Sequence, residues 1–234
     1  AISYNGWLKL IEIVNNIEED SSIRSVVFSG EGEKAFSAGA DIKDFETHRK
    51  DSKTAKTYSA AFDGALDAIE ALSVPTISMI RGICVGGGCE LSMATDIRIA
   101  SNKSRFGIPV AKLGILVGYR EMKRLVNLVG PGNASYILLS GRLIDSAEAF
   151  RMGLITQLVE DSELEETVLN LANEITPLAP LSQKRHKIIL QNVISNQSLD
   201  GLDQELPYTN FDSADFQEGK EAFISRRPPN FKGR

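Results

Sequence analysis

Residues 82–90 read GICVGGGCE, and three glycines in series restrict what this chain can fold into more than any other stretch. Glycine loses more conformational freedom on folding than any other residue, so a run of it belongs where something approaches the backbone closely. Strand-like apolar runs stand on both sides, VPTISMI before and DIRIA after, and GGGCELSMA starts a helix. A strand thus feeds a turn without side chains and then a helix that begins beside Glu90. Such a start offers unpaired N–H groups and the positive end of the backbone dipole, which suits a negatively charged oxygen.

A second turn of small residues repeats the pattern. FSAGAD, 36–41, lies in a loop, EGEKAFSAGAD, that follows the buried strand IRSVVFSG at 23–30, and Asp41 is placed to cap a short helix through Phe45. Two helix starts that converge make a paired-donor pocket, and glycine and alanine let a carbonyl come near those donors.

The rest of the chain fits the same architecture. Trp7, Leu8, Leu10, Ile11, Ile13, Val14 and Ile17 recur at helical spacing, so Ser3 to Glu19 reads as an amphipathic helix. Ser52 to Leu72 reads as a longer one, PTISMIRG as a strand, and Asp96 to Ala100 as the next. Glu121–Val129, Asn133–Leu139 and Ser146–Met152 read as short helices separated by Gly130, Gly141 and Gly153. LITQLVE is a last strand, followed by four helical patterns that end near Arg227, where Pro228 and Pro229 stop the helix. Strands alternating with helices predict an α/β fold with parallel, buried strands. The boundaries predicted are a core over 1–178 and a helical appendage over 179–234.

Several function classes recede on composition. The 234 residues are 42% apolar and 24% charged with a net charge of -5, so nothing supplies the clustered cations that a phosphate backbone needs. No nucleic-acid partner is expected. No apolar run is long enough to span a bilayer and no signal segment opens the chain, so no membrane association is expected and the location predicted is the cytoplasm or an organelle matrix. Cys84 and Cys89 make no disulfide framework and read as reduced core thiols. The two histidines, His48 and His186, read as solvated, and without HExxH or CxxC no metal site is expected. GxSxG and GxxxxGK[ST] are absent, and Leu91 stands where GxGxxG would need its last glycine.

KAFSAGADIKDF and RGICVGGGCELSMATDIRIAS, together with the later FGIPVAKLGI and the trailing EGKEAFISRRPPNFKGR, resemble the enoyl-CoA hydratase/isomerase family, the crotonase superfamily. The resemblance runs through nearly the whole chain. It implies a crotonase-like spiral of ββα turns with a C-terminal helical trimerisation region, an acyl-CoA substrate, and an oxyanion hole for a thioester enolate. Carried over by position, it makes the N–H groups of Ala40 and Gly87 the two donors and Glu90 the acid/base. It puts Ala38, Ala40, Asp41, Ile42 and Lys43 beside the coenzyme A moiety. Arg226 would come to it from a neighbouring copy in a homotrimer or dimer of trimers. No permanently bound cofactor is implied, coenzyme A being part of the substrate.

The sequence departs from the family pattern at two places. Hydratases of the family hold a water with two glutamates, and the second normally follows the proline of the later motif. Here that position is Val110, so Glu90 is the only matched carboxylate. The substrate pocket expected from the motif is Val110, Val117 and Tyr119, while Glu121 is expected to face outward from the helix that begins there. The strand pair that precedes the first helix in the family is also missing. The reaction implied is isomerisation of an enoyl-CoA or an atypical hydration. The alternatives are decarboxylation of an acyl-CoA or a non-catalytic, CoA-binding assembly protein.

Overall fold

The computed structural model describes residues 1–195 and 199–234. Its strands fall into two sheets that the first six strands visit alternately. The first holds β1 (Val26–Ser29), β3 (Thr76–Ile80), β5 (Ile97–Ser101) and β8 (Gln157–Val159), in that order and all parallel. The second holds β2 (Ala35–Ser37), β4 (Ile83–Val85), β6 (Arg105–Gly107) and β7 (Ile144–Asp145), with β7 alone antiparallel. Each of the first three turns of chain lays one strand in the first sheet, one in the second, then a helical segment. β1 and β2 lead to α2 (Phe45–His48) and α3 (Ser52–Ala71), and β3 and β4 to α4 (Gly87–Met93). β5 and β6 lead to a 3-10 turn at Val110–Leu113 and α5 (Tyr119–Ser140).

The switch between sheets is made by glycine. PTISMIRGICV was expected to hold one strand up to Gly82, but Gly82, at φ +68°, turns the chain after β3 so that ICV pairs in the other sheet. A Cβ there would strike the Lys34 carbonyl. The loop expected over EGEKAFSAGAD likewise contains β2, recruited by pairing with β4. Both strands have three residues, too few for periodicity to reveal them.

Helix α1 (Tyr4–Glu19) starts where expected, capped by Ser3, whose hydroxyl accepts from the Gly6 N–H at 3.1 Å. It packs on α3 through Trp7, whose indole N–H donates to Tyr58 Oη at 2.8 Å while its ring meets Phe62 edge-on. Asp51 caps α3 in a reciprocal box with Thr54. The helices expected at 121–129 and 133–139 run as α5, broken at Gly130, whose φ of 73° and ψ of 164° are not helical.

After α6 (Ser146–Met152) the first sheet is covered by α7 (Leu164–Ile175), with Leu164, Val168, Ala172 and Ile175 packed on Ile77 and Ile99. The chain then runs through α8 (Pro180–Ser195), α9 (Gly201–Thr209) and α10 (Ala214–Ser225). The helical expectation across 196–198 lies outside the described residues. Among the described residues no helix is long and apolar enough to cross a membrane.

Candidate active site

The two small-residue turns meet. β2 delivers Ala38 to Ala40, and β4 delivers the glycines. A Cβ on Gly87 would lie 3.4 Å from the Ala40 nitrogen, and one on Gly39, at φ +87°, would press within 2.8 Å of the Val85 carbonyl and 2.9 Å of the Gly87 nitrogen. Only a backbone without side chains permits this approach. Gly86, at φ 53° and ψ -131°, turns the chain into α4 and donates its own N–H to Gly107 O at 2.8 Å.

Both central N–H groups are left available by the local pattern. Gly87 is the first residue of α4 and has no intrahelical acceptor. Ala40 sits in a parallel bridge with Ile2, in which the Ile2 N–H donates to Gly39 O and the Asp41 N–H to Ile2 O. That pattern turns the Ala40 N–H away from Ile2. These donors border a cavity of about 300 Å³ lined by apolar groups that include Phe45, Phe62, Val110, Leu113, Ile115 and Val117.

Glu90 lines the cavity from α4 and is 6% exposed. Its place in the first turn of the helix favours the carboxylate, yet burial outweighs that and pushes its pKa up to about 8. The carboxyl of Glu121 adds to the rise, and Arg49 and Arg124 oppose it. Near neutral pH Glu90 therefore carries a proton.

Glu121 corrects the expectation from sequence. It does not face outward: it is 3% exposed and lines the same cavity. Helix α5 begins at Tyr119, two residues before the expected start, and Glu121, Leu125 and Val129 then form one buried stripe at spacing i, i+4, i+8. That spacing is visible in the sequence and was the available signal. Burial is also the first cause of Glu121's raised pKa, followed by the charge of Asp63. Its Oε1 lies 3.6 Å from Arg124 Nη1, and neither atom finds a hydrogen bond among the described residues. Arg124 is itself held by Glu70 and Asp67 of α3, through Nη2 at 2.7 and 2.6 Å.

Among the other predicted site residues, Val110 and Val117 line the cavity, as do Ala38 and Ile42. Tyr119 does not: it is 97% exposed at the first position of α5, so the pocket role expected for it fails and the inward direction belongs to Glu121. Asp41 accepts from the Lys43 N–H at 3.0 Å and caps the turn at Ile42–Asp44. Lys43 is exposed beside the cavity's edge residue Ile42. Arg226 lies apart, in left-handed conformation at the end of α10 and outside this cavity's lining. His48, expected to be solvated, is half-buried and stacks on Tyr4 with ring centroids 4.3 Å apart. Cys84 and Cys89 are buried free thiols. No group of three or more His, Cys, Asp or Glu among the described residues could hold a metal ion.

An α/β spiral that brings two backbone donors and two buried carboxyl groups to one apolar cavity defines a class, and the comparisons specify it. The chain belongs to the enoyl-CoA hydratase/isomerase family, whose family model matches residues 1–234, and has the crotonase fold. It is 35% identical over 229 residues to the short-chain-enoyl-CoA hydratase of Clostridium acetobutylicum, covering 95% of this chain and 85% of that protein. It is 32% identical over 238 residues to the crotonyl-CoA hydratase of Syntrophomonas wolfei, covering 99% and 89% respectively. A crystal structure of an enoyl-CoA hydratase/carnithine racemase from Magnetospirillum magneticum superposes with a TM-score of 0.97 at 35% identity, covering 100% of this chain and 88% of that one.

Proposed function

We propose that this protein is a lyase that adds water to a 2-enoyl-CoA, with Glu90 and Glu121 as its carboxyl pair. The observation that carries this reading is the burial of both groups on one cavity bordered by the Ala40 and Gly87 N–H groups. The two donors receive the thioester oxygen and strengthen their hold as it becomes an enolate; a donor of this kind contributes roughly 2.7 to 4 kcal/mol to the transition state. Glu121 takes a proton from water, whose hydroxyl adds to the β-carbon. Glu90, held neutral by burial, gives its proton to the α-carbon. Val110 occupies the family's second glutamate position, and Glu121 restores from another element the carboxylate lost there.

Val110 also favours a second reading. It leaves an apolar wall where a water would otherwise be held, which suits migration of a double bond through proton transfer alone. Decarboxylation and a non-catalytic binding role need no pair of proton-transfer groups and are less well supported. Incubation with crotonyl-CoA and with 3-enoyl-CoA esters separates the readings. Formation of 3-hydroxyacyl-CoA supports hydration, migration without hydration supports the second, and an inert protein that still binds acyl-CoA contradicts both.

Coenzyme A then lies along Ala38 to Lys43. Self-assembly into trimers, with Arg226 reaching a neighbour's CoA, accords with the apolar side chains that the C-terminal helices leave exposed, Leu202 at 82%, Phe223 at 87% and Ile224 at 73%.

A further inference from the structure

The proposed reaction leaves a proton in the wrong place after each turnover. Glu121 has gained one from water and Glu90 has lost one to the α-carbon, so both must be reset before the next substrate. Direct contact with bulk water is restricted, because both side chains are buried.

One carboxyl-bearing residue of the cavity lining also borders a depression on the outer surface. Asp63, half-buried on α3, lines the same cavity as Glu121, and its charge adds to the rise in the Glu121 pKa. Asp63 and Ser59, one helical turn apart, line the cavity on one side. The same two residues line a separate surface depression, together with Lys56 and Arg120. The Ser59–Asp63 face of α3 is thus the partition between the cavity and water.

The surrounding charges give the partition a direction. On the cavity side Asp63 shares the lining with Glu121, Glu90 and Arg49. Toward solvent it faces Lys56 of its own helix and Arg120 of α5, which is paired with Asp67. Lys56 and Arg120 thus put cationic groups on the outer side of the partition. Glu121, by contrast, presents Oε1 to Arg124, which cannot take a proton, and that oxygen has no hydrogen bond among the described residues.

We propose that Asp63 is the relay through which the Glu121 carboxyl exchanges its proton with solvent, across the Ser59–Asp63 partition into the Lys56–Arg120 depression. This rests on the reading of Glu121 as a proton-transfer group. Neutral Glu121 passes its proton to the Asp63 carboxylate and becomes the base again; Asp63 releases the proton to water in the outer depression. Glu90 regains one proton from water that enters as product leaves. The count balances, one proton out and one in.

The test is steady-state hydration of crotonyl-CoA in H2O and D2O by the native protein, Asp63→Asn and Asp63→Glu, with and without imidazole. Asp63→Asn is expected to lower kcat about 10- to 100-fold with KM changed less than about twofold. Its solvent isotope effect rises, imidazole restores part of the rate, and Asp63→Glu retains most of it. Should Asp63→Asn fail to fold, Ser59→Leu blocks the partition and is expected to give the same fall in kcat and the same rise in isotope effect. An unchanged kcat, or a loss that neither isotope nor imidazole modifies, overturns the relay. A native protein that neither hydrates crotonyl-CoA nor exchanges its α-proton overturns the functional reading itself, and an active native protein with an indifferent Asp63→Asn overturns the relay alone.

Discussion

At the scale of the residue, burial decides what Glu90 does. The group titrates at about 8 in the fold against its ordinary 4.5. Between those values the folded protein holds a proton that the unfolded chain has released, so stability falls as pH rises through that interval. Below about 4.5 both states are protonated and the residue adds no pH dependence. Glu90→Gln is expected to flatten this slope and to melt higher than the native protein above pH 8, by on the order of a few kcal/mol. Thermal melts from pH 4 to pH 9 check it. The native hydration rate is expected to fall above pH 8 as the acid ionises, while Glu90→Gln loses roughly 10²- to 10⁴-fold at neutral pH. Glu90 was legible in the sequence because it follows GGGC directly. Glu121 was legible only through its i, i+4, i+8 spacing with Leu125 and Val129, because Gly118, which caps α5 without a side-chain bond, gives no local signal of where the helix begins.

At the scale of the element, the site is built by close approach of β2 to the start of α4. Besides Gly87, Gly88 lies under β2, where a Cβ would stand 2.5 Å from both the Ser37 carbonyl and its Cβ. Gly88→Ala must push β2 and α4 apart, at a cost of about 1 to 3 kcal/mol. Because β2 also carries Ala40, the same substitution is expected to lower kcat by separating the donors, and chemical denaturation together with kinetics checks both effects. The glycines themselves were readable in the sequence, as were α1, α3, α6 and the strands of the first sheet. The three-residue strands of the second sheet were not, since they owe their conformation to parallel neighbours more than to their own pattern. The two helices expected over α5 have a physical basis, because Gly130 breaks the helical geometry between them and leaves a kink.

At the scale of the whole molecule, the alternating visits to two sheets stack the ββα turns so that three successive turns supply the cavity: Ala40 from the first, Gly87 and Glu90 from the second, Val110 and Glu121 from the third. The family was legible from the motifs that open those turns, and its geometry follows from their order along the chain. The C-terminal helices expose apolar groups, and the expected trimer is checked by light scattering of the native protein against Phe223→Glu with Ile224→Glu. The native mass should be a multiple of three chains and that of the variant smaller. The central claim is that Glu121 replaces the carboxylate absent at Val110, and the most direct test is the rate of crotonyl-CoA hydration by Glu121→Gln beside the native protein. A fall of about 100-fold or more in kcat, with acyl-CoA binding retained, is the predicted result. Full activity of Glu121→Gln would contradict the account.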